Sequence, residues 1–197
     1  YVGELATPPI LVAHDAGALV ALAAAAARPP AALVLVAPVP PGHPGVRVLV
    51  RAPRSLLALV LGRPVPPPGE AADADWLDLP EPLRSRTRAT LGPEDAVAVR
   101  DLVWNRVDPR PPAGIPILVV SGADDHLLPP AAAATEAARL GGELQILPHA
   151  GHWVPTGPRW KEAVGLVHRW LVQRLGEPLL ELHAEAMADR AEDEDAD

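Results

Sequence analysis

Three loops of this chain carry side chains that together could do covalent chemistry. Asp15 follows the apolar run Ile10-Leu-Val-Ala13. Asp125 follows Ile115-Pro-Ile-Leu-Val-Val-Ser121, within Gly122-Ala-Asp-Asp-His126. His152 follows Glu143–Leu147, within Pro148-His-Ala-Gly-His-Trp153. A carboxylate with an ordinary pKa near ~3.9 is ionised at neutral pH, and an imidazole can take up and return a proton there. In open parallel sheets, ligands bind outside the carboxyl ends of the strands. If the apolar runs are neighbouring strands of one such sheet, their loops meet at one edge and bring two carboxylates and an imidazole together.

The segments around these loops have the composition such a sheet needs. Ile10–Ala13, Leu33-Val-Leu-Val-Ala37 and Ile115–Ser121 are short, apolar and β-branched, as buried strands are, and Glu143–Leu147 reads as a fourth strand. Ala18–Arg28 reads as a helix rich in Ala and Leu that Pro29-Pro30 stops, and Pro130–Leu140 as a helix that ends at Gly141-Gly142. Trp160–Leu175 reads as a long amphipathic helix with Gly176 at its end. Strand, turn, helix and strand in succession predict a parallel sheet. Between Pro38 and Pro112 the chain is rich in Pro and Arg, with short amphipathic pieces at Pro53–Leu61 and Glu94–Val103, and reads as an irregular helical insertion over the sheet. The expected division is a core of residues 1–42 and 112–176, a cap or lid of residues 43–111, and an acidic, disordered tail of residues 177–197.

Three motifs in this order resemble the α/β-hydrolase superfamily. Ala13-His14-Asp15-Ala16-Gly17 is similar to the nucleophile elbow G-x-S-x-G, with Ala for the first Gly and Asp for Ser. Gly122-Ala-Asp-Asp125-His-Leu-Leu-Pro129 resembles the acid motif of the family, a register that selects Asp125 over Asp124, and Ala150-Gly-His152-Trp resembles its histidine loop. The resemblance covers residues 5–175 and implies an α/β fold, a mostly parallel sheet flanked by helices with a helical cap insertion. It implies Asp15 as nucleophile, Asp125 as acid, His152 as base and the N–H of Ala16 as one oxyanion donor. Asp in the place of Ser is similar to the epoxide hydrolases and haloalkane dehalogenases. Asp15 would then displace a leaving group from carbon to form an ester, and His152, oriented by Asp125, would activate the water that hydrolyses it.

The departures from that family are specific. The second oxyanion donor belongs to an earlier loop, and fourteen residues precede Asp15 where the family has several strands. The sequence therefore reads as an N-terminally truncated fold whose first strand is an exposed edge. Tyr1 is the only tyrosine, so the cap lacks the tyrosines with which epoxide hydrolases polarise their substrate; Ala16 stands where dehalogenases often have Trp. Candidate substrate contacts are His14, Trp104, Asn105 and Trp153, although His14 reads first as a structural residue beside the elbow and Trp104, with Trp76, as cap core. Trp160 and Trp170 read as packing, His149 as a loop histidine, and Arg84, Arg86 and Arg88 as a solvated face. Two alternatives accompany the first reading: an esterase or thioesterase lineage in which Asp15 has replaced Ser, and a non-catalytic binding or scaffold protein that keeps the fold.

Composition narrows the partners. The 197 residues suit one domain with a sizeable core. The net charge of −8 is concentrated at the end, where Glu181–Asp197 holds eight acids and one Arg. The body is left near neutrality, with no basic footprint for nucleic acid. The absence of cysteine excludes a thiolate nucleophile, a disulfide framework and Cys-based metal sites. Adjacent residues such as Asp124-Asp125-His126 do not converge on one ion, so no metal is expected; the resemblance to hydrolases implies a small-molecule substrate and no cofactor. The longest apolar run, Val12–Ala27, is interrupted by His14 and Asp15 and falls short of a membrane span. A cytoplasmic location is expected, with a preceding signal peptide left open because the chain begins at Tyr1; no oligomeric state is assigned. The 26 prolines, the lack of Phe and the single lysine, Lys161, read as a GC-rich genome, so the alanine runs are not read as function.

Overall fold

The computed structural model describes residues 4–41, 53–67, 77–104, 106 and 108–176. Tyr1, Trp76, Asn105 and the acidic tail lie outside the described residues. The expected α/β architecture is present. Strands β1 (Ile10–His14), β2 (Ala32–Val36), β3 (Ile117–Gly122) and β4 (Glu143–Leu147) form one sheet in the order β1-β2-β3-β4, and every pairing is parallel. Helix α1 (Gly17–Ala27) follows β1. Helices α2 (Pro53–Val60), α3 (Leu83–Thr90) and α4 (Ala96–Val103) lie between β2 and β3 in sequence, α5 (Pro130–Leu140) links β3 to β4, and α6 (Trp160–Leu175) follows β4.

All residues of β2 and β3 are buried, as a strand covered on both faces requires. Their side chains alternate between two cores. Leu33, Leu35, Ile117 and Val119 pack with Leu19, Leu22 and Ala25 of α1 and with Ala133 and Ala137 of α5. Val34, Val36, Leu118 and Val120 pack on the other face with Ala163 and Trp170 of α6. Among the described residues β1 pairs with β2 alone, and its Val12 is 63% exposed.

Element ends differ from the sequence reading where a specific backbone group intervenes. β3 begins at Ile117 rather than Ile115, because Pro116 has no N–H to give the ladder and contributes only its carbonyl, which accepts from the Leu33 N–H at 2.9 Å. α4 begins at Ala96 rather than Glu94, because Asp95 is its N-cap and accepts from the N–H groups of Val97 and Ala98 at 2.8 and 2.9 Å. α2 ends before Gly62, which turns the chain at φ +64°. Helix α3 carries the arginine cluster. Arg86 is exposed as a solvated face would have it, but Arg84 is half-buried and donates through Nε to the Leu79 carbonyl at 2.8 Å.

The registers align the carboxyl ends of the strands: His14 lies opposite Val36, Val36 opposite Val120, and Gly122 opposite Leu147. The loops after β1, β3 and β4 therefore emerge at one edge.

Candidate active site

Asp15 sits between β1 and α1 with φ +53°, a left-handed conformation that is strained for most side chains and that Asp and Asn tolerate best. Hydrogen bonds on both sides hold it there. Its N–H donates to the Val36 carbonyl at 3.1 Å, and its carbonyl accepts from Ala18 at 3.1 Å and Val39 at 3.3 Å. The turn lifts the carboxylate out of the sheet edge and leaves 48% of the side chain open. Ala16, the next residue, is the N-cap of α1. A nucleophile elbow asks for a small residue at the position of Gly17 where its helix packs close to the strand. Among the described residues nothing lies within 4 Å of a Cβ built there, so close packing does not account for that glycine.

Asp125 is 3% exposed. Its Oδ1 accepts from the N–H groups of Leu127 and Leu128 at 2.9 and 2.8 Å, and its Oδ2 lies 3.0 Å from Nδ1 of His152. Asp124 is exposed and takes no part in this contact. His152, 2% exposed, turns Nε2 toward Asp15, with Nε2 and Oδ1 3.6 Å apart. One imidazole thus stands between two carboxylates from two other strand ends.

The charges follow from that geometry. Burial would lower the pKa of His152, but the hydrogen bond to Asp125 and the nearby Asp15 carboxylate overcome it and raise the pKa from 6.5 to about 9. Burial opposes the charge of Asp15, yet His152, then His14 and the Ala16 N–H, outweigh it and hold its carboxyl below the ordinary value. The pKa of His14 is lowered by burial and by the charge of His152, which favours its neutral form. His14 donates through Nε2 to the His152 carbonyl at 3.0 Å.

A raised histidine pKa makes stability depend on pH. The interaction is fully present below the unfolded value near 6.5 and is lost as pH rises through about 9. The shift corresponds to about 3 kcal/mol at most. Urea unfolding is expected to show stability falling between pH 6.5 and 9.5, with a shallower fall in Asp15→Asn, which removes one of the two carboxylates facing the ring. An equal fall in both proteins would place the effect elsewhere.

Glycine matters at the end of β3. A Cβ on Gly122 would lie 2.2 Å from the Ala150 carbonyl oxygen, so the strand and the histidine loop touch backbone to backbone. Gly122→Ala is expected to cost about 1–3 kcal/mol by overpacking, measured as a lower urea midpoint at unchanged slope. An unchanged midpoint would mean that the loop can move aside.

The other sequence candidates separate. Trp153 is half-buried beside the site, its ring 5.5 Å from that of His14 and 6.0 Å from that of His152. Trp104 is 56% exposed at the end of α4, with the Arg106 guanidinium 5.3 Å from its ring centroid, so it is not cap core. Trp160 is 46% exposed and is likewise not the packing residue expected, whereas Trp170 is buried and donates to Glu143 at 2.9 Å. His149 is exposed in the loop with φ +56°. Sequence reasoning missed Asp78, whose Oδ2 accepts the backbone N–H of His152 at 2.7 Å. Its only sequence signal is a polar residue between two leucines, which many exposed strands and turns share. Among the described residues no group of three or more His, Asp or Glu could hold a metal ion.

Comparison with known proteins agrees with this fold. Residues 1–164 match the family described as the alpha/beta hydrolase family. No curated protein sequence matches the chain. Among solved structures, a thermophilic esterase from Thermogutta terrifontis superposes with a TM-score of 0.62 at 19% identity, over 85% of this chain and 66% of the esterase. A carboxylesterase structure from Nitrososphaera gargenis gives 0.59 at 16% identity, over 85% and 66%. MenH from S. aureus gives 0.58 at 18% identity, over 86% and 70%. At these identities the likeness is one of fold. The chain spans just under two thirds of the length of both esterases.

Proposed function

The chain belongs to the alpha/beta hydrolase family, and from that premise we propose that it is a hydrolase that forms a covalent ester on Asp15 with a small apolar epoxide or halide. The observation that carries this reading is the half-open Asp15 carboxylate on a left-handed turn, 3.6 Å from the Nε2 of an imidazole whose Nδ1 is held by buried Asp125.

Asp15 needs no base to attack, because its carboxyl is held below its ordinary value. One oxygen forms a bond to the substrate carbon while the carbon–halide or carbon–oxygen bond breaks, and the leaving group takes the electron pair. At neutral pH His152 is a cation in the resting protein. Esterification removes the negative charge of Asp15, one of the two charges that stabilise that cation. His152 then releases its proton to solvent water, from which the alkoxide of an opened epoxide also takes its proton, and becomes a base at the moment one is needed. Through Nε2 it takes a proton from water, the water oxygen attacks the ester carbonyl, the acyl C–O bond breaks, the Nε2 proton passes to the departing alkoxide so that the alcohol leaves, and the new Asp15 carboxyl gives its own proton to His152, restoring the resting pair. The N–H of Ala16, already directed at the Asp15 carboxylate, stabilises the oxyanion. The insertion between β2 and β3 is the cap that this reading assigns to the substrate, with Trp153 and His14 beside His152. Trp104, exposed at the end of α4, is a candidate contact from that insertion. No cofactor takes part.

One observation favours a second reading. A histidine held as a cation between two carboxylates also suits an ion triplet that merely ties loops together. Under that reading Asp15 replaces the serine of an esterase lineage. Acyl transfer to a carboxylate gives an anhydride, so ester turnover is low until Asp15→Ser restores a hydroxyl. Incubation of the full chain with styrene oxide, bromohexane and p-nitrophenyl esters separates the two. Turnover of the epoxide or halide, lost in Asp15→Asn, supports the first reading. Turnover of esters alone, gained in Asp15→Ser, supports the second.

A further inference from the structure

We propose that Asp78 is a positioning residue for His152, holding the backbone of the histidine loop so that its ring spans Asp125 and Asp15; this rests on the role of His152 given above. Asp78 lies between Leu77 and Leu79, which are 0% and 2% exposed. Their burial anchors the segment, and the Arg84 Nε donates to the Leu79 carbonyl at 2.8 Å. From this anchored segment the Asp78 carboxylate reaches 74 residues along the chain to accept the His152 N–H at 2.7 Å.

The histidine loop is built to admit that carboxylate. A Cβ on Gly151 would lie 1.7 Å from Asp78 Oδ2, so the contact exists only because residue 151 has no side chain. The other side of the His152 peptide is held too, since its carbonyl accepts from His14 Nε2 at 3.0 Å. Backbone N–H, backbone carbonyl and Nδ1 are therefore fixed by three separate segments, and only Nε2 is left to face Asp15. Loss of the Asp78 contact frees one of these three points and lets the ring drift from the line between the two carboxylates. A misplacement of about 1 Å at a reacting group is enough to cost about a hundredfold in rate.

The hydrogen bond needs an acceptor oxygen rather than a charge, so two substitutions separate positioning from electrostatics. Asp78→Asn keeps an oxygen for the His152 N–H, and Asp78→Ala removes it. With styrene oxide as probe, Asp78→Ala is expected to slow hydrolysis of the Asp15 ester by about ten- to a hundredfold while its formation, which does not use the imidazole, keeps its rate. The ester then accumulates in intact-mass spectra, and Asp78→Asn returns hydrolysis to within about threefold of the native chain. Nitrogen-15 spectra of the His152 ring follow the same point without any substrate: its titration midpoint falls in Asp78→Ala and recovers in Asp78→Asn. A folded Asp78→Ala protein with the native midpoint overturns the proposal, as does a midpoint that Asp78→Asn fails to restore. If the native chain forms no ester, the mechanism on Asp15 fails while the ring titration still decides the role of Asp78.

Discussion

Asp15→Asn is expected to abolish turnover of epoxides and haloalkanes, a loss on the scale of about 10⁶-fold seen when a covalent nucleophile is removed. Asn is the informative replacement for a structural reason. Residue 15 holds φ +53°, a conformation that Asn tolerates nearly as well as Asp and that Ala or Ser enters at some cost. The variant should therefore fold with the native elbow, and its inactivity would report chemistry rather than collapse. It carries a second signature. His152 faces two carboxylates in the native chain, one of them 3.6 Å from Nε2, and the loss of that charge should bring its pKa down from about 9 toward 6.5. Nitrogen-15 spectra of the ring measure this shift directly. A ring that keeps its native titration in Asp15→Asn would mean that Asp125 alone supports the cation, and the charge-timed release of the base would then be wrong.

Asp125→Asn should cost about 10⁴-fold in the step that His152 carries, for reasons of tautomer more than of charge. In the native chain Oδ1 of Asp125 accepts two backbone N–H groups and Oδ2 faces Nδ1 of His152. An asparagine keeps its one oxygen on the two backbone donors and turns its NH₂ toward Nδ1. The ring nitrogen must then accept, the proton moves to Nε2, and Nε2 can no longer take a proton from water. Alkylation of Asp15 does not need the imidazole and should proceed. The expected pattern is a rapid burst of one equivalent of leaving group followed by almost no turnover. Loss of the burst along with turnover would instead tie Asp125 to the first step.

The parts of the site legible in the sequence are those that sit where a regular element ends. Asp15 and Asp125 each follow an apolar run long enough for one strand, His152 follows the mixed strand Glu143-Leu-Gln-Ile-Leu147, and a parallel sheet delivers the ends of its strands to one edge. The choice between Asp124 and Asp125 is different in kind. It came from motif register, and the structure supplies its physical counterpart in the N–H groups of Leu127 and Leu128, which grip Asp125 alone. The contacts hidden from sequence are those made between segments without regular structure. Asp78 meets His152 because buried Leu77 and Leu79 hold its segment beside the histidine loop, and nothing in Leu77-Asp78-Leu79 announces a partner so far along the chain. Aromatic residues were misread for a related reason. Trp104 and Trp160 have the bulk of core residues, yet Trp104 closes the end of a short helix and Trp160 opens a long one. At both helix ends the indole is left largely open to solvent.

The central claim is a covalent bond to Asp15. It is tested most directly by intact-mass spectrometry of the His152→Gln variant, in which ester hydrolysis is arrested. After incubation with styrene oxide or bromohexane, a gain of one substrate-derived alkyl group that peptide mapping places on Asp15, and that disappears when Asp15→Asn is added, is the result expected. A folded variant that gains no mass from either compound, or that gains it on another residue, would contradict the account.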